Sequence, residues 1–224
     1  MNYIELDGWR TKQGDISLKS AKKQAKGNIF EYQREEIEAA VQRTVEFETA
    51  IDVGAHLGIL SVYMAQFFNR VYAFEIDNTL YPHLVHNCTV KSQEIDQPKK
   101  IITKNVGLGE VKQEVGLYTS NKTFGNHVKE GNGFQIEKLD NQDIEGRVGL
   151  IKLDTEGYEP LVIRGGINLI LRDRPVILYE RKGHAARYGY KNDGVLDELY
   201  DYGYRLHSWI GKRNKNAIIA HPNA

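Results

Sequence analysis

The chain has one cysteine, five prolines and two methionines among 224 residues, and its 30 Lys and Arg residues balance its 30 Asp and Glu residues. A lone thiol cannot form an internal disulfide. Cys88 falls in a helical pattern, so it reads as a small core residue in a reducing, cytoplasmic compartment. Zero net charge argues against a protein that coats nucleic acid, although it allows a local basic patch. No apolar run reaches membrane-spanning length, and the polar N-terminus does not read as a signal peptide. Without repeats or low-complexity blocks, the length favours one domain with a substantial core.

The G-x-G-x-x-G of a dinucleotide fold is also missing. Ala50-Ile51-Asp52-Val53 reads as a short buried strand and Gly54-Ala55-His56-Leu57-Gly58 as a turn. From Ile59 a helix follows, with Leu60, Tyr63, Met64, Phe67 and Phe68 at helical spacing. Strand, glycine turn and helix make the ligand-binding corner of a doubly wound α/β sheet. With His56 in the middle, the Asp-x-Gly-x-x-x-Gly pattern counts against a nicotinamide or flavin cofactor. It leaves room for a ligand without phosphate, such as S-adenosylmethionine. Arg70–Phe74 is the next strand, and Glu75 follows the turn by roughly twenty residues, the offset at which ribose hydroxyls are gripped. Asp52, Gly54, Ala55, His56, Gly58, Glu75 and Ile76 are therefore expected at the cofactor, the His56 backbone mattering and its ring facing solvent.

Asp52-Val-Gly-Ala-His-Leu-Gly58, Phe74-Glu75, Asn105-Val-Gly-Leu-Gly109, the insert ending in Glu137-Lys-Leu-Asp140, Ile151-Lys-Leu-Asp-Thr-Glu-Gly-Tyr-Glu159 and Val176-Ile-Leu-Tyr-Glu180 resemble the successive motifs of FkbM-type S-adenosylmethionine-dependent methyltransferases. The resemblance spans about Phe30 to Ala220, and Lys-x-Asp-x-Glu-Gly-x-Glu is its most specific part. It implies an α/β class I methyltransferase (Rossmann-like) fold, a seven-stranded sheet with helices on both faces and the last strand antiparallel. It further implies methyl transfer to a hydroxyl of a sugar or natural product, with Asn105 and Val106 at the adenine. Two features depart from the family pattern: Ile76-Asp77 where proline is common, and a short basic N-terminal segment.

Residues 1–29 read as a basic, solvated and partly mobile arm, with a lid or anionic-substrate clamp as the alternative, and 30–224 as the single methyltransferase domain. Phe30–Phe47 has Ile37, Ala40, Val41 and Val45 on one helical stripe, with Tyr32 in packing or at the ligand. Asn78 or Thr79 caps the helix after Glu75, Pro98-Lys99-Lys100 ends that connection, and Ile101–Val106 is the third strand. Glu110–Gln142 breaks the rhythm and reads as a β-hairpin insertion between strands three and four. Its Thr119–Gly133 loop, with Asn121, Lys122, Asn126 and His127, reads as either a substrate-facing flap or plain disorder. Val148–Leu153 and Val176–Tyr179 are further strands, and a helix from Glu159-Pro160 breaks at Gly165-Gly166. Strands Tyr204–Trp209 and Asn216–Ala220 end the chain, joined by the turn Gly211–Lys215. Lys152 sits inside a buried strand and needs an acid partner, taken as Asp154, Glu156 or Glu180.

Methyl transfer to a hydroxyl is an in-line displacement that needs alignment and a base. Asp154, Glu156 and Glu180 lie at strand ends with His184 just beyond, and any of Asp154, Glu156 or His184 could act as base; Asp154 also faces the cofactor. Alternatively Asp154 and Glu180, with Glu156, hold a divalent cation, Mg or Ca, that acidifies the acceptor. Arg181, Lys182 and Arg187 are either an anion clamp or a solvated face. The expected partner is a small hydroxylated molecule such as a saccharide. A nucleic-acid methyltransferase is weighed against by neutral charge and the absence of an Asn/Asp-Pro-Pro-Tyr motif, and a non-catalytic cofactor binder by the intact acids. Oligomeric state stays open.

Overall fold

A computed structural model describes residues 2–95, 100–119, 125–191 and 194–222. Pro98, Lys99, Asn121 and Lys122, singled out above, lie outside the described residues. In chain order the elements are strands β1 (Tyr3–Leu6) and β2 (Trp9–Lys12), helices α1 (Ser17–Gln24) and α2 (Arg34–Val41), β3 (Thr49–Val53), α3 (Ile59–Met64), β4 (Arg70–Phe74) and α4 (Tyr81–Lys91). There follow β5 (Lys100–Lys104), β6 (Gly107–Leu108), β7 (Gln113–Tyr118), β8 (His127–Glu137), β9 (Val148–Leu153), α5 (Glu159–Gly165), α6 (Ile167–Asp173), β10 (Val176–Glu180), α7 (Val195–Tyr200), β11 (Arg205–Ile210) and β12 (Asn216–Ala220).

Seven strands form the main sheet in the order β11-β12-β10-β9-β3-β4-β5. Neighbours from β10 to β5 run parallel, and β12 is antiparallel to both β10 and β11. The last strand thus inserts in reverse between two others, as the resemblance implies. Period-two alternation divides the side chains between the faces. Ile51, Val53, Ile151, Leu153 and Ile177 pack with α5, α6 and α7, whereas Ala50, Val71, Leu150 and Leu178 pack with Ile37, Leu60, Met64 and Phe68. A second sheet, ordered β6-β8-β7, sits against the first of these faces through Leu108, Val115 and Ile136.

The N-terminal segment differs from the solvated arm read in the sequence. Tyr3–Lys12 is a hairpin and Ser17–Gln24 a helix, with Trp9, Leu18 and Ala21 buried beside Leu57, Leu84 and Cys88. Two surface pairs absorb part of its basic charge, Arg10 with Glu5 and Lys22 with Asp7. The buried side chain of Asn87 on α4 accepts from the Arg10 N–H and donates to the Arg10 and Leu57 carbonyls. One amide therefore ties this segment to the glycine turn. Composition hid the fold, because lysine stems cover apolar surface while their heads stay wet.

Other boundaries shift. The helix expected over Phe30–Phe47 is only Arg34–Val41 after a 3-10 turn at Ile29–Glu31, and Val45 is exposed. The third strand of the main sheet stops at Lys104, which leaves Asn105 beyond it. Lys152 meets the expected Asp154 but lies closer to Asp52, which was not among the expected partners. Its Nζ lies 3.0 Å from Asp52 and 3.9 Å from Asp154, because β9 pairs with β3 and sets Lys152 opposite Asp52. Asp52, fully buried, accepts a second bond from the Ser61 hydroxyl at 2.6 Å.

Lys152→Met would leave that carboxylate buried without its counter-charge. In urea denaturation it should lose about 3–5 kcal/mol, whereas the double variant Asp52→Asn/Lys152→Met should recover a good part of the loss. Equal losses in the single and double variants would refute the pairing.

Candidate active site

At the carboxyl ends of β3, β4, β9 and β10 lies one cavity of about 380 Å³. α1 walls one side with Ser17, Ser20 and Gln24, the β7–β8 hairpin another with Leu117, His127 and Val128, and Tyr32 and Gln33 before α2 a third. Among the expected residues, Gly54, Ala55, His56, Glu75, Ile76, Val106, Asp154, Glu156 and Glu180 line it.

Gly54 takes φ +77°, and a Cβ there would lie 2.0 Å from the Asp154 carbonyl oxygen. The glycine is thus required by the close approach of the β3 and β9 ends. Both Gly54 and Ala55 donate to the Phe74 carbonyl, which fixes the turn against β4. His56, at φ +53°, directs its N–H to Glu75 at 2.8 Å, and the other Glu75 oxygen accepts from the Asp77 N–H at 2.8 Å. Burial, only partly offset by these donors, pushes the Glu75 carboxyl up to about 7. The His56 ring is half-buried rather than facing solvent, and burial lowers its pKa. Asp77 binds the Thr79 N–H and hydroxyl and accepts from Asn126 at 3.1 Å, which joins the hairpin to the β4 loop.

Four of the expected residues do not line this cavity. Asp52 is buried against Lys152 and Ser61, behind it. Gly58, at φ +82°, packs on Cys88 and Leu84, where a Cβ would sit 2.8 Å from each. Asn105 donates to the Glu75 carbonyl at 2.8 Å and so shapes the loop that carries Glu75 and Ile76. His184 stands behind Glu156, its Nδ1 2.7 Å from Oε2, and lines a separate small cavity with Gly157 and Ala185. Asp52, Asn105 and His184 each touch a group that does reach the space.

The Lys-x-Asp-x-Glu-Gly-x-Glu run folds into a tight turn after β9. Glu156 has φ +55° and Gly157 +110°, and a Cβ on Gly157 would lie 2.5 Å from the His184 backbone. The buried Glu159 carboxylate accepts from the Thr155 N–H at 2.7 Å and the Gly157 N–H at 3.2 Å, closing the turn. Arg187 donates to the Glu156 carbonyl at 2.8 Å. These contacts hold the left-handed residue in place.

Asp154, Glu156 and Glu180 offer oxygens within 4.8 Å of one another. Burial would raise the Asp154 carboxyl, but Lys152 and then Lys182 outweigh it and hold the group below its ordinary value. Burial and the adjacent Asp154 charge push Glu180 up to about 9. The two share a hydrogen bond in which protonated Glu180 donates to Asp154. Lys182, expected on an anion clamp or a solvated face, instead sits 2.5 Å from Glu180 and 3.4 Å from Glu156. Arg181 stacks over Trp209 at 4.4 Å. Tyr32 lines the space with its hydroxyl pushed up to about 12 by burial and then Asp154. α1, Asp77 and the turn lysines Lys212 and Lys215 also line it, and the sequence reading did not place them there.

The sheet order, the single reversed strand and a cavity at the strand ends define the α/β methyltransferase fold. The profile described as the methyltransferase FkbM domain matches residues 52–206, and the chain belongs to that family. Among solved structures, methyltransferase FkbM from Methylobacillus flagellatus KT is similar at a TM-score of 0.52 with 18% identity, over 78% of this chain and 44% of that one. The chain thus spans less than half the length of that relative. Ribosomal protein L11 methylase from Lactobacillus delbrueckii subsp. bulgaricus is similar at 0.52 with 13% identity, over 87% and 80%. N-methyltransferase NodS from Bradyrhizobium japonicum WM9 reaches 0.50 with 10% identity, over 86% and 95%. At these identities the likeness concerns the fold. No curated protein matches the chain. Among the described residues, no helix is long and apolar enough to cross a membrane.

A buried carboxyl with a raised pKa destabilises the fold as it ionises: stability falls as pH climbs from the ordinary carboxyl range toward 9. Glu180→Gln keeps a donor for Asp154 and removes that titration. Its melting temperature relative to the unsubstituted chain should therefore rise between pH 5 and pH 9, checked by paired thermal scans. A constant difference would refute the assignment.

Proposed function

We propose that the chain binds S-adenosylmethionine in the Gly54–Glu75 end of the cavity and transfers its methyl group to a hydroxyl of a small acceptor, a saccharide by class, at the Asp154–Glu180 end. The observation that carries this reading is the continuity of the space: one cavity joins the Glu75 carboxylate to the acid pair. The residues fit the cofactor. The backbone N–H groups of His56 and Asp77 orient both Glu75 oxygens, and each keeps a lone pair for a ribose hydroxyl. Ile76, Val106 and Leu108 supply apolar surface for a flat base. When bound, S-adenosylmethionine supplies an electrophilic methyl group and a neutral leaving sulfur.

The chain then has to place a hydroxyl and receive its proton. Asp154, ionised and fixed by Lys152 and the Glu180 bond, is the acceptor of that proton. Glu180 orients Asp154, while His184 and Arg187 hold Glu156 at the rim. A divalent cation on these acids would have to displace Lys182, which already supplies their positive charge. We assign the charge balance to that lysine, so a chelator should leave turnover unchanged.

Calorimetry with S-adenosylhomocysteine tests the cofactor end. Binding should weaken as pH falls below about 7, since a protonated Glu75 loses acceptor capacity, and Glu75→Gln should bind less tightly and flatten that dependence. No binding at any pH would remove the proposal. At the acceptor end, Asp154→Asn should lower kcat by about 10²- to 10⁴-fold. Glu180→Gln, which keeps its donor, should lose about tenfold or less. A larger loss from Glu180→Gln than from Asp154→Asn would move the base to Glu180.

A further inference from the structure

The turn Gly211–Lys215 between β11 and β12 brings positive charge to the acceptor end of the cavity. Lys212 and Lys215 line the same space as Asp154 and Glu180. The turn is built to a definite shape. Arg213 and Asn214 both take left-handed φ, the Asn214 N–H closes onto the Gly211 carbonyl at 3.0 Å, and the Arg181 N–H donates to the Lys215 carbonyl. Among the described residues, neither lysine side chain has an ion-pair partner. This sets them apart from Lys152 and Lys182, whose ammonium groups already contact Asp52, Asp154, Glu156 and Glu180.

The rest of this wall is rich in donors. Gln33 and Asn216 contribute amides, and Tyr32 a hydroxyl. Glu36 also lines the wall, close to Gly211, and burial raises its carboxyl above the ordinary range. A neutral sugar needs hydroxyl partners of both kinds, whereas unpaired ammonium groups favour an anion.

We propose that the acceptor is anionic, a small hydroxylated molecule bearing a carboxylate or phosphate that Lys212 and Lys215 hold while its hydroxyl meets Asp154. This rests on the reading that the acceptor end lies at Asp154 and Glu180. The two lysines are specificity-determining residues and take no part in proton transfer. The shared chemistry is one negative group; a uronic acid and a sugar phosphate are its two sources.

The test reads binding, so it does not depend on turnover. Protein saturated with S-adenosylhomocysteine is titrated with glucose, glucuronate and glucose 6-phosphate by calorimetry. At least one anion should bind about tenfold or more tightly than glucose, and the advantage should shrink as salt rises. Whichever anion binds identifies the source. Lys212→Ala/Lys215→Ala should abolish the advantage while leaving the affinity for S-adenosylhomocysteine unchanged. The proposal is overturned if glucose binds as well as both anions, if none of the three binds, or if the double variant keeps the preference. Failure of S-adenosylhomocysteine itself to bind would overturn the cofactor reading instead. The same titrations on the free protein then still decide whether this wall selects anions.

Discussion

The Lys152 ammonium, nearly excluded from solvent, lies 3.0 Å from one carboxylate at the end of β3 and 3.9 Å from another at the end of β9. A lysine so placed must stay paired. Burial works to lower its pKa, but the charges of Asp52 and Asp154 outweigh burial and keep it protonated. The pair connects two strands whose ends approach closely: the Gly54 turn leaves no room for a side chain beside the Asp154 carbonyl. Ion pair and bare glycine together set the spacing between the turn that frames Glu75 and the acid that faces the acceptor.

Charges in the site follow one another in a chain of contacts that starts at the buried Asp52–Lys152 pair. Asp52 and Lys152 form the deepest layer and neutralise one another. Above them Asp154 is ionised and Glu180 protonated, two carboxyls that cannot both carry charge cheaply at close range. Lys182 tops this pair and reaches Glu156, which His184 and Arg187 grip from outside. Each layer thus orients the next, and a group that touches no ligand can still decide where the reacting oxygen sits.

The N-terminal segment is a wall of this chamber. Its α1 helix meets the space where the His56 turn opens, and Asn87 binds the segment to the backbone of that turn. The β7–β8 hairpin closes another side, held by Asn126 to Asp77 and by the Tyr188 hydroxyl to the Val128 carbonyl at 2.7 Å. The first cover is held by three hydrogen bonds of the Asn87 amide and by burial of Trp9 and Leu18, the second by one bond between side chains, one from a side chain to a carbonyl, and burial of Val115 and Ile136.

The central architecture was legible in the residues, because local physics dictates it. Short apolar runs made the parallel strands, the stripe at Leu60, Tyr63 and Met64 made α3, and the spacing from Gly54 to Glu75 placed a turn and an acid at one end of the sheet. Partnership was decided only by tertiary structure. The Asp52–Lys152 pair depends on the register of two strands a hundred residues apart, the folding of Tyr3–Gln24 depends on a surface supplied by α4, and Lys212 and Lys215 reach the cavity through a reversed strand. Alternation along a strand tells which face a side chain takes. Which neighbour lies across from it is settled only when the whole sheet has assembled.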